Sequence, residues 1–519
     1  MSFFSIPFLG LVLGSLVLYY LLPGKARWML LLGASLGFYL WGGLWAGAYL
    51  AFAILTTYWA GMLLGRLNRR MELIPRQDRE RGLAALRRRK RWVLAACLTL
   101  NFGLLFLVKY WDFAAGAASR ATGLALPRLE LTVPLGLSFY LFQSAGYAID
   151  CYRGKYPPQR NPLKLALFLS FFPQMVQGPI SRFDQLGPQL LEPHPLDARN
   201  LKFGIQRVLW GFLKKLVVAD RANVAVKAVL GDLGAYGGAM YALGILFYCI
   251  QLYCDFSGGM DIALGVAEMF GISLPENFRR PIFAVSLADY WRRWHITLGA
   301  WMRDYVFYSL SLSKAFVRLG GRARRRFPGK LGKVIPTSLA TLVVYLIIGI
   351  WHGANFRYLF YGLWNGAIIT SSLLLAGPYA RAKSRLGIRE DSRWFHGFQM
   401  LRTMALVFIG RYITCAPRLL TAGSMLKKTL LHPCLYQLSD GTLWTLGLSP
   451  LDLLVVLLGI LAVLFAEWRL ERGRDLRAEL ENRGPLVQWV LLFVPLALVC
   501  FLGIFRDSAI QAEFIYQQY

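Results

Sequence analysis

Two of the five histidines in this 519-residue chain stand where an imidazole could do chemistry. His352 closes an apolar run, residues 334–350, that holds no charged side chain, and Gly353 follows it. A histidine so placed is either hydrogen-bonded between helices or poised in a cavity. An unperturbed imidazole titrates near ~6.5, so it can take a proton at neutral pH. A hydroxyl needs such a group before it attacks a thioester. Gly353 leaves the backbone beside it open to close approach. His295 lies in the densest polar-aromatic run, Asp289-Tyr290-Trp291-Arg292-Arg293-Trp294-His295-Ile296-Thr297-Leu298. That run reads either as an aromatic-basic belt at a membrane surface, or as a site where Arg292 and Arg293 receive the phosphates of a cofactor or carrier arm. Asp255 and Asp261 flank Ser257-Gly258-Gly259. Acids at membrane depth usually pair with a cation, so an ion pair fixing helix packing is their simplest reading. His194 and His432 sit in polar connections, and His396 reads as interfacial.

The elements that must hold these residues are membrane helices. The chain is 56% hydrophobic and 14% aromatic, with mean hydropathy +0.45. Several windows reach the ~20 apolar residues needed to cross a bilayer. They are too long and too continuously apolar for barrel strands. The expectation is an all-α, polytopic bundle of about 11 to 13 spans forming one integral membrane domain over residues 1–519. The net charge of +30 gathers in short loops beside spans, as the positive-inside bias requires, so nucleic-acid binding is not expected. The seven cysteines lack C-x-x-C spacing and read as small packers, neither disulfides nor a metal site. Residues 3–22 read as a first span, since no basic n-region or cleavage site marks a signal peptide.

Along the chain, residues 28–45 and 46–65 predict paired spans joined by a Gly-rich turn. Residues 66–91 carry eleven Lys/Arg against three acids and read as a charged loop or an interfacial helix on anionic lipid. Prolines and glycines predict a short or re-entrant helix over 134–150 and a break within 163–180. Residues 184–200, with Pro188, Pro193 and Pro195, predict a loop. So do residues 314–333, with eight Lys/Arg and no acid. If the basic loops face the cytoplasm, both termini lie outside.

A set of segments resembles the bacterial membrane-bound O-acyltransferase superfamily. It begins with Pro134-Leu135-Gly136-Leu137-Ser138-Phe139-Tyr140-Leu141-Phe142-Gln143-Ser144 and Phe171-Phe172-Pro173-Gln174, then Gly178-Pro179-Ile180-Ser181-Arg182. It continues with Tyr253 to Asp261, Asn277-Phe278-Arg279-Arg280-Pro281, Trp291 to Leu298, Arg303-Asp304-Tyr305 and Trp351-His352-Gly353. These occur in family order over a core of residues 134–366. Two departures are Ser257-Gly258-Gly259-Met260-Asp261 in place of Ser-Gly-Tyr-Ser-Asp, and Gly299 in place of a serine. The branch that looks nearest is the alginate O-acetylase group, whose neighbour is the teichoic acid D-alanyl transferase. The ending Glu513-Phe514-Ile515-Tyr516-Gln517-Gln518-Tyr519 resembles the Phe-Ile-Tyr ending of that acetylase group.

The resemblance implies a helical fold around a tunnel through the membrane. The donor would enter from the cytoplasm and the acceptor from outside. It implies His352 and His295 as the catalytic pair, with Asn277, Arg292, Arg293, Trp351, Asp255 and Asp261 on the substrate side. Residues 506–519 would form an extracytoplasmic tail, with Tyr516 either a transient acyl carrier at the tunnel mouth or an aromatic anchor. No tightly bound cofactor or metal is expected, only a donor thioester, acetyl-CoA or an acyl carrier protein. The expected partners are that carrier, a polysaccharide acceptor or an extracytoplasmic SGNH-hydrolase-like acetyltransferase, and the bilayer of the inner (cell) membrane. The expected activity is O-acetylation of an exopolysaccharide or cell-surface glycan. The alternatives are D-alanyl transfer to teichoic acid and, from another class, a transporter or flippase of lipid-linked sugar.

Overall fold

The computed structural model describes residues 3, 5–74, 79–327 and 329–505. The residues so described are mostly helical and hold no strand; one isolated bridge joins Phe278 to Trp294. Six of their helices are long and apolar enough to cross a bilayer: Leu44–Glu72, Gly82–Thr122, Gly238–Met269, Lys330–His352, Pro450–Glu471 and Pro485–Leu502. A seventh span arises if Phe356–Leu374 and Ala376–Arg385, bent by 64°, are taken together. The 11 to 13 apolar windows therefore exceed the long helices. Several of those windows fold as shorter pieces, such as Ile6–Leu21, Gly24–Leu40, Leu137–Arg153 and Pro162–Ser170. Apolar side chains on the long helices, among them Leu454, Leu457, Leu458, Leu461 and Phe465, face outward. That pattern suits lipid.

Two compact units divide the chain. One holds residues 1–208 and 259–275, the other residues 209–258 and 276–519. In the first, Leu137–Arg153 is buried over most of its length. It is held to Leu44–Glu72 by a hydrogen bond between Thr57 and Ser144. Arg207 Nε donates to Asp261 Oδ1 at 3.0 Å.

Two expected loops hold helices instead, and the stretch read as either a loop or an interfacial helix is helical where it is described. The basic stretch after residue 65 is the arginine-bearing end of Leu44–Glu72 together with the start of Arg79–Leu105. Within 184–200, Phe183–Leu191 is helical with Pro188 inside it. Gln189 ties that helix to Ser273 in both directions, accepting from its N–H at 2.8 Å and donating to its carbonyl at 3.2 Å. The basic stretch after residue 313 opens with Lys314–Arg326, where the Ser313 hydroxyl caps the Phe316 N–H at 3.3 Å. In the last two cases capping or a tertiary partner outweighs the composition that argued for a loop.

In the second unit, Lys330–His352 and Phe356–Leu374 form a tight hairpin. A Cβ on Gly349 would come within 2.4 Å of the Tyr358 carbonyl oxygen, and one on Gly362 within 2.3 Å of the Tyr345 carbonyl oxygen. Small residues let backbones touch where lipid offers no hydrophobic drive for helix association. At the turn, the Asn355 side chain accepts from the Arg357 N–H at 3.1 Å and starts the second helix.

Candidate active site

The His295 segment is a short backbone clasp. Arg279 N–H donates to the Arg293 carbonyl at 2.8 Å, and Ile296 N–H donates to the Asn277 carbonyl at 3.0 Å. His295 itself takes a left-handed conformation, φ +51°. That is costly for a residue with a side chain and persists only where the surroundings enforce it. Here Asn277 enforces it. Its Oδ1 accepts two hydrogen bonds from Thr297, from the N–H and from Oγ1, each at 2.9 Å. His295 Nδ1 lies 3.3 Å from Asn277 Nδ2 and 3.4 Å from Oδ1; with both Oδ1 lone pairs taken by Thr297, Nδ2 is the group left to donate to Nδ1. This assigns the neutral tautomer with the proton on Nε2. Burial first, and then the nearby His352, hold the His295 imidazole well below its usual titration range. The His295 ring is thus held in its neutral form.

Aromatic rings build the wall around it. Phe256 meets the His295 ring edge-on at 4.9 Å. Trp294 stacks on Tyr290 at 5.6 Å and meets Phe278 edge-on at 5.0 Å. Trp351 links the two histidines, with its ring 5.6 Å from that of His295 and 5.1 Å from that of His352. His295 is 1% exposed, whereas His352 is partly open. Beside His352 lie Tyr358 at 6.5 Å and Tyr361 at 6.3 Å between ring centroids. The approach at Gly353 is made by the Tyr358 ring, which a Cβ there would meet at 2.6 Å.

The other residues singled out in the sequence fall elsewhere. Arg293 is held by two carboxylates, Asp289 at 3.1 Å and Glu471 at 3.0 Å. Arg292 is largely exposed and pairs with Asp289 at 3.4 Å. Asp255 faces Lys215 at 2.7 Å, and the same ammonium reaches Asp220 at 2.8 Å, all three side chains fully buried. Asp261 belongs to the other unit, on Arg207. Tyr516 lies outside the described residues. The structure thus gathers His295, His352, Asn277 and Trp351, and commits Arg293, Asp255 and Asp261 to ion pairs.

Several residues of the site carried no flag in the sequence reading. Glu471 clamps the clasp, taking Arg280 at 2.6 Å as well as Arg293. One turn earlier, buried Glu467 accepts a hydrogen bond from the Tyr253 hydroxyl. Trp291 Nε1 donates to Asn365 Oδ1 at 3.1 Å. Arg411 is buried and donates to Tyr290 and Tyr361. The signal was available for two of them. Glu467 and Arg411 are charges within apolar helices, the same oddity that drew attention to His352.

With this geometry in hand, similarity to known proteins becomes interpretable. Residues 135–324 match the model of MBOAT, the membrane-bound O-acyltransferase family. The chain is 33% identical over 430 residues to the "Probable alginate O-acetylase AlgI" of Pseudomonas syringae pv. tomato, covering 81% of this chain and 73% of that protein. It is 30% identical over 359 residues to the "Peptidoglycan O-acetyltransferase" of Helicobacter pylori, covering 64% of each. To the "Teichoic acid D-alanyltransferase" of Bacillus subtilis it is 27% identical over 326 residues, 60% of this chain and 74% of the relative.

Proposed function

The chain belongs to the membrane-bound O-acyltransferase family and is a multi-pass membrane acyltransferase, and from that premise we propose that it O-acetylates an exopolysaccharide or cell-surface glycan. The donor is a cytoplasmic thioester, acetyl-CoA or an acylated carrier protein. The acceptor is reached on the outer side of the inner membrane, directly or through an SGNH-hydrolase-like transferase. Both termini face that outer side, and a tunnel joins the two compartments. The observation that carries this reading is the pair of histidines braced on one tryptophan, one neutral and buried, the other partly open. His352 takes the proton of the acceptor hydroxyl as its oxygen bonds to the thioester carbonyl carbon. His295, its Nδ1 engaged by Asn277, presents Nε2–H to the reacting group. The aromatic wall keeps water from the thioester.

The acceptor class follows relatives named for alginate and peptidoglycan O-acetylation. D-alanyl transfer is the second reading, favoured only by the more distant likeness to the teichoic acid enzyme. The deciding experiment is mass spectrometry of surface polysaccharide from cells with the wild-type chain and with His352→Ala at equal membrane abundance. Loss of acetyl esters is expected. Retained esters would sink the assignment, and lost alanyl esters would select the second reading.

A further inference from the structure

One buried cation near this chemistry has no acid for company. Arg411, on the helix Arg393–Cys415, is 6% exposed. Its Nη2 donates to the Tyr290 hydroxyl at 2.9 Å and its Nη1 to the Tyr361 hydroxyl at 3.2 Å. The guanidinium carbon stands 5.3 Å from the centroid of the Trp294 ring and 5.7 Å from that of Tyr361. Among the described residues its partners are phenols and rings, with no carboxylate in ion-pair reach. A buried arginine in a membrane protein is normally neutralised, because an unpaired buried charge is costly. A charge held only by neutral dipoles suits a place where negative charge appears transiently.

The Tyr361 phenol supplies the second half of the argument. Its oxygen accepts from Arg411, and among the described residues its own O–H donates to none. Its ring lies 6.3 Å from the His352 ring, on the helix that follows the histidine turn. The close approach is built in at Gly410, where a Cβ would meet Trp364 Nε1 at 3.1 Å and Tyr361 Cε2 at 3.3 Å. A side chain there would push Arg411 off the phenol.

We infer that Tyr361 is a further catalytic residue, the oxyanion donor, and that Arg411 is its positioning residue; the inference rests on the acyl-transfer reading above. As the acceptor oxygen bonds to the thioester carbon, its proton passes to His352 and the carbonyl π pair moves onto the carbonyl oxygen. That oxyanion accepts a hydrogen bond from the Tyr361 O–H. On collapse the carbonyl re-forms, the C–S bond breaks, and the leaving thiolate takes the proton back from His352. Ester and free thiol are the products, and His352 ends as it began. The Arg411 guanidinium, bound to the phenol oxygen, makes the phenol a stronger donor as charge develops. Preorganised donors of this kind are among the largest contributions to acyl transfer, and removing one costs roughly 10²–10³ in rate.

The test uses the full chain in cells, with the initial rate of acetyl-ester formation on surface polysaccharide read by mass spectrometry at matched membrane abundance. Tyr361→Phe should lose roughly 10²–10³ in rate while the protein still inserts and keeps its thermal unfolding profile. Arg411→Met should lose a similar factor, Arg411→Lys should recover part of it, and Arg411→Met added to Tyr361→Phe should cost little more. A merely structural arginine would give additive losses and no recovery with lysine, and that outcome overturns the inference. If Tyr361→Phe acts within threefold of wild type while His352→Ala is silent, the oxyanion assignment is wrong and the acyl-transfer reading stands. If His352→Ala still forms esters, the reading itself fails. Should Tyr361→Phe not accumulate, 3-fluorotyrosine at position 361 keeps the ring and makes a stronger donor. An unchanged pH–rate profile for it would overturn the assignment.

Discussion

Asn277→Asp is the sharpest perturbation of the candidate site, because it changes one donor into an acceptor and little else. In the native site the Asn277 Oδ1 accepts from Thr297 twice at 2.9 Å, and Nδ2 donates to His295 Nδ1 at 3.3 Å. A carboxylate keeps the two Thr297 bonds, so the left-handed turn at His295 should survive. It cannot donate to Nδ1. It accepts from Nδ1–H instead, and the neutral ring loses its Nε2 proton. A hydrogen bond to a group developing charge contributes about 1.5–3 kcal/mol, and every ~1.4 kcal/mol is tenfold. The expected loss above neutral pH is therefore about ten- to a hundredfold in acetylation rate. The sign of the pH dependence is fixed. In wild type the His295 pKa lies well below 6.5, so the ring stays neutral through the physiological range and adds no pH dependence there. In the variant the carboxylate raises that pKa. Below the raised value the imidazolium carries both protons and Nε2–H returns, so activity relative to wild type at the same pH should recover as pH falls and be lost as pH rises. The assay is the initial rate of ester formation between about pH 5.5 and 8.5, with Asn277→Ala as control. The alanine strands buried Thr297 and His295 groups and should lose activity at every pH. A variant as active as wild type above neutrality, or one whose deficit ignores pH, would refute the tautomer assignment.

Two further outcomes follow from the packing. Lys215→Met leaves Asp220 and Asp255 buried without their cation, a change that costs about 3–5 kcal/mol, so the protein should lose thermal stability sharply and regain part of it when both acids are changed to Asn; thermal unfolding in detergent reads this, and an unaltered midpoint would contradict it. Gly349→Ala places a methyl 2.4 Å from a backbone carbonyl of the facing helix, and since that atom cannot rotate away, inserted protein should fall severely, whereas Gly33→Ala, with open space around it, should insert normally.

The two histidines were legible because the anomaly is local: a titratable ring at the end of an uncharged helix, and another inside a run of tryptophans and arginines. The all-helical membrane fold was legible for the same reason, since apolar length is a property of one segment. What fixes the site is not local. Glu471 reaches Arg293 across 178 positions, and Arg411 reaches Tyr290 across 121. No spacing rule in a single chain announces such pairs. Arg293 looked ready for a phosphate because Glu471, the second of its two carboxylates, could not be seen from its own neighbourhood, although Asp289 four residues earlier could. The basic stretch after residue 313 was misjudged for a related reason. Charge density argues for solvent, but Lys314–Arg326 is a helix whose first turn the Ser313 hydroxyl caps. Prolines at 193 and 195 do follow the end of Phe183–Leu191, yet Pro188 lies within it because Gln189 and Ser273 hold that turn.

The overlong helix Leu44–Glu72 has a mechanical meaning. Twenty-nine residues rise about 43 Å, and the hydrocarbon they cross is about 30 Å deep. The surplus of roughly 13 Å is not shared evenly, because Arg66, Arg69 and Arg70 all cluster at one end. Pushed inward, that end would drag guanidinium groups into oil; pulled outward, it would strip leucines of lipid. The rod is thus a depth gauge. It sets the height at which its whole unit rides in the bilayer, and thinner or thicker membranes should make it lean rather than sink.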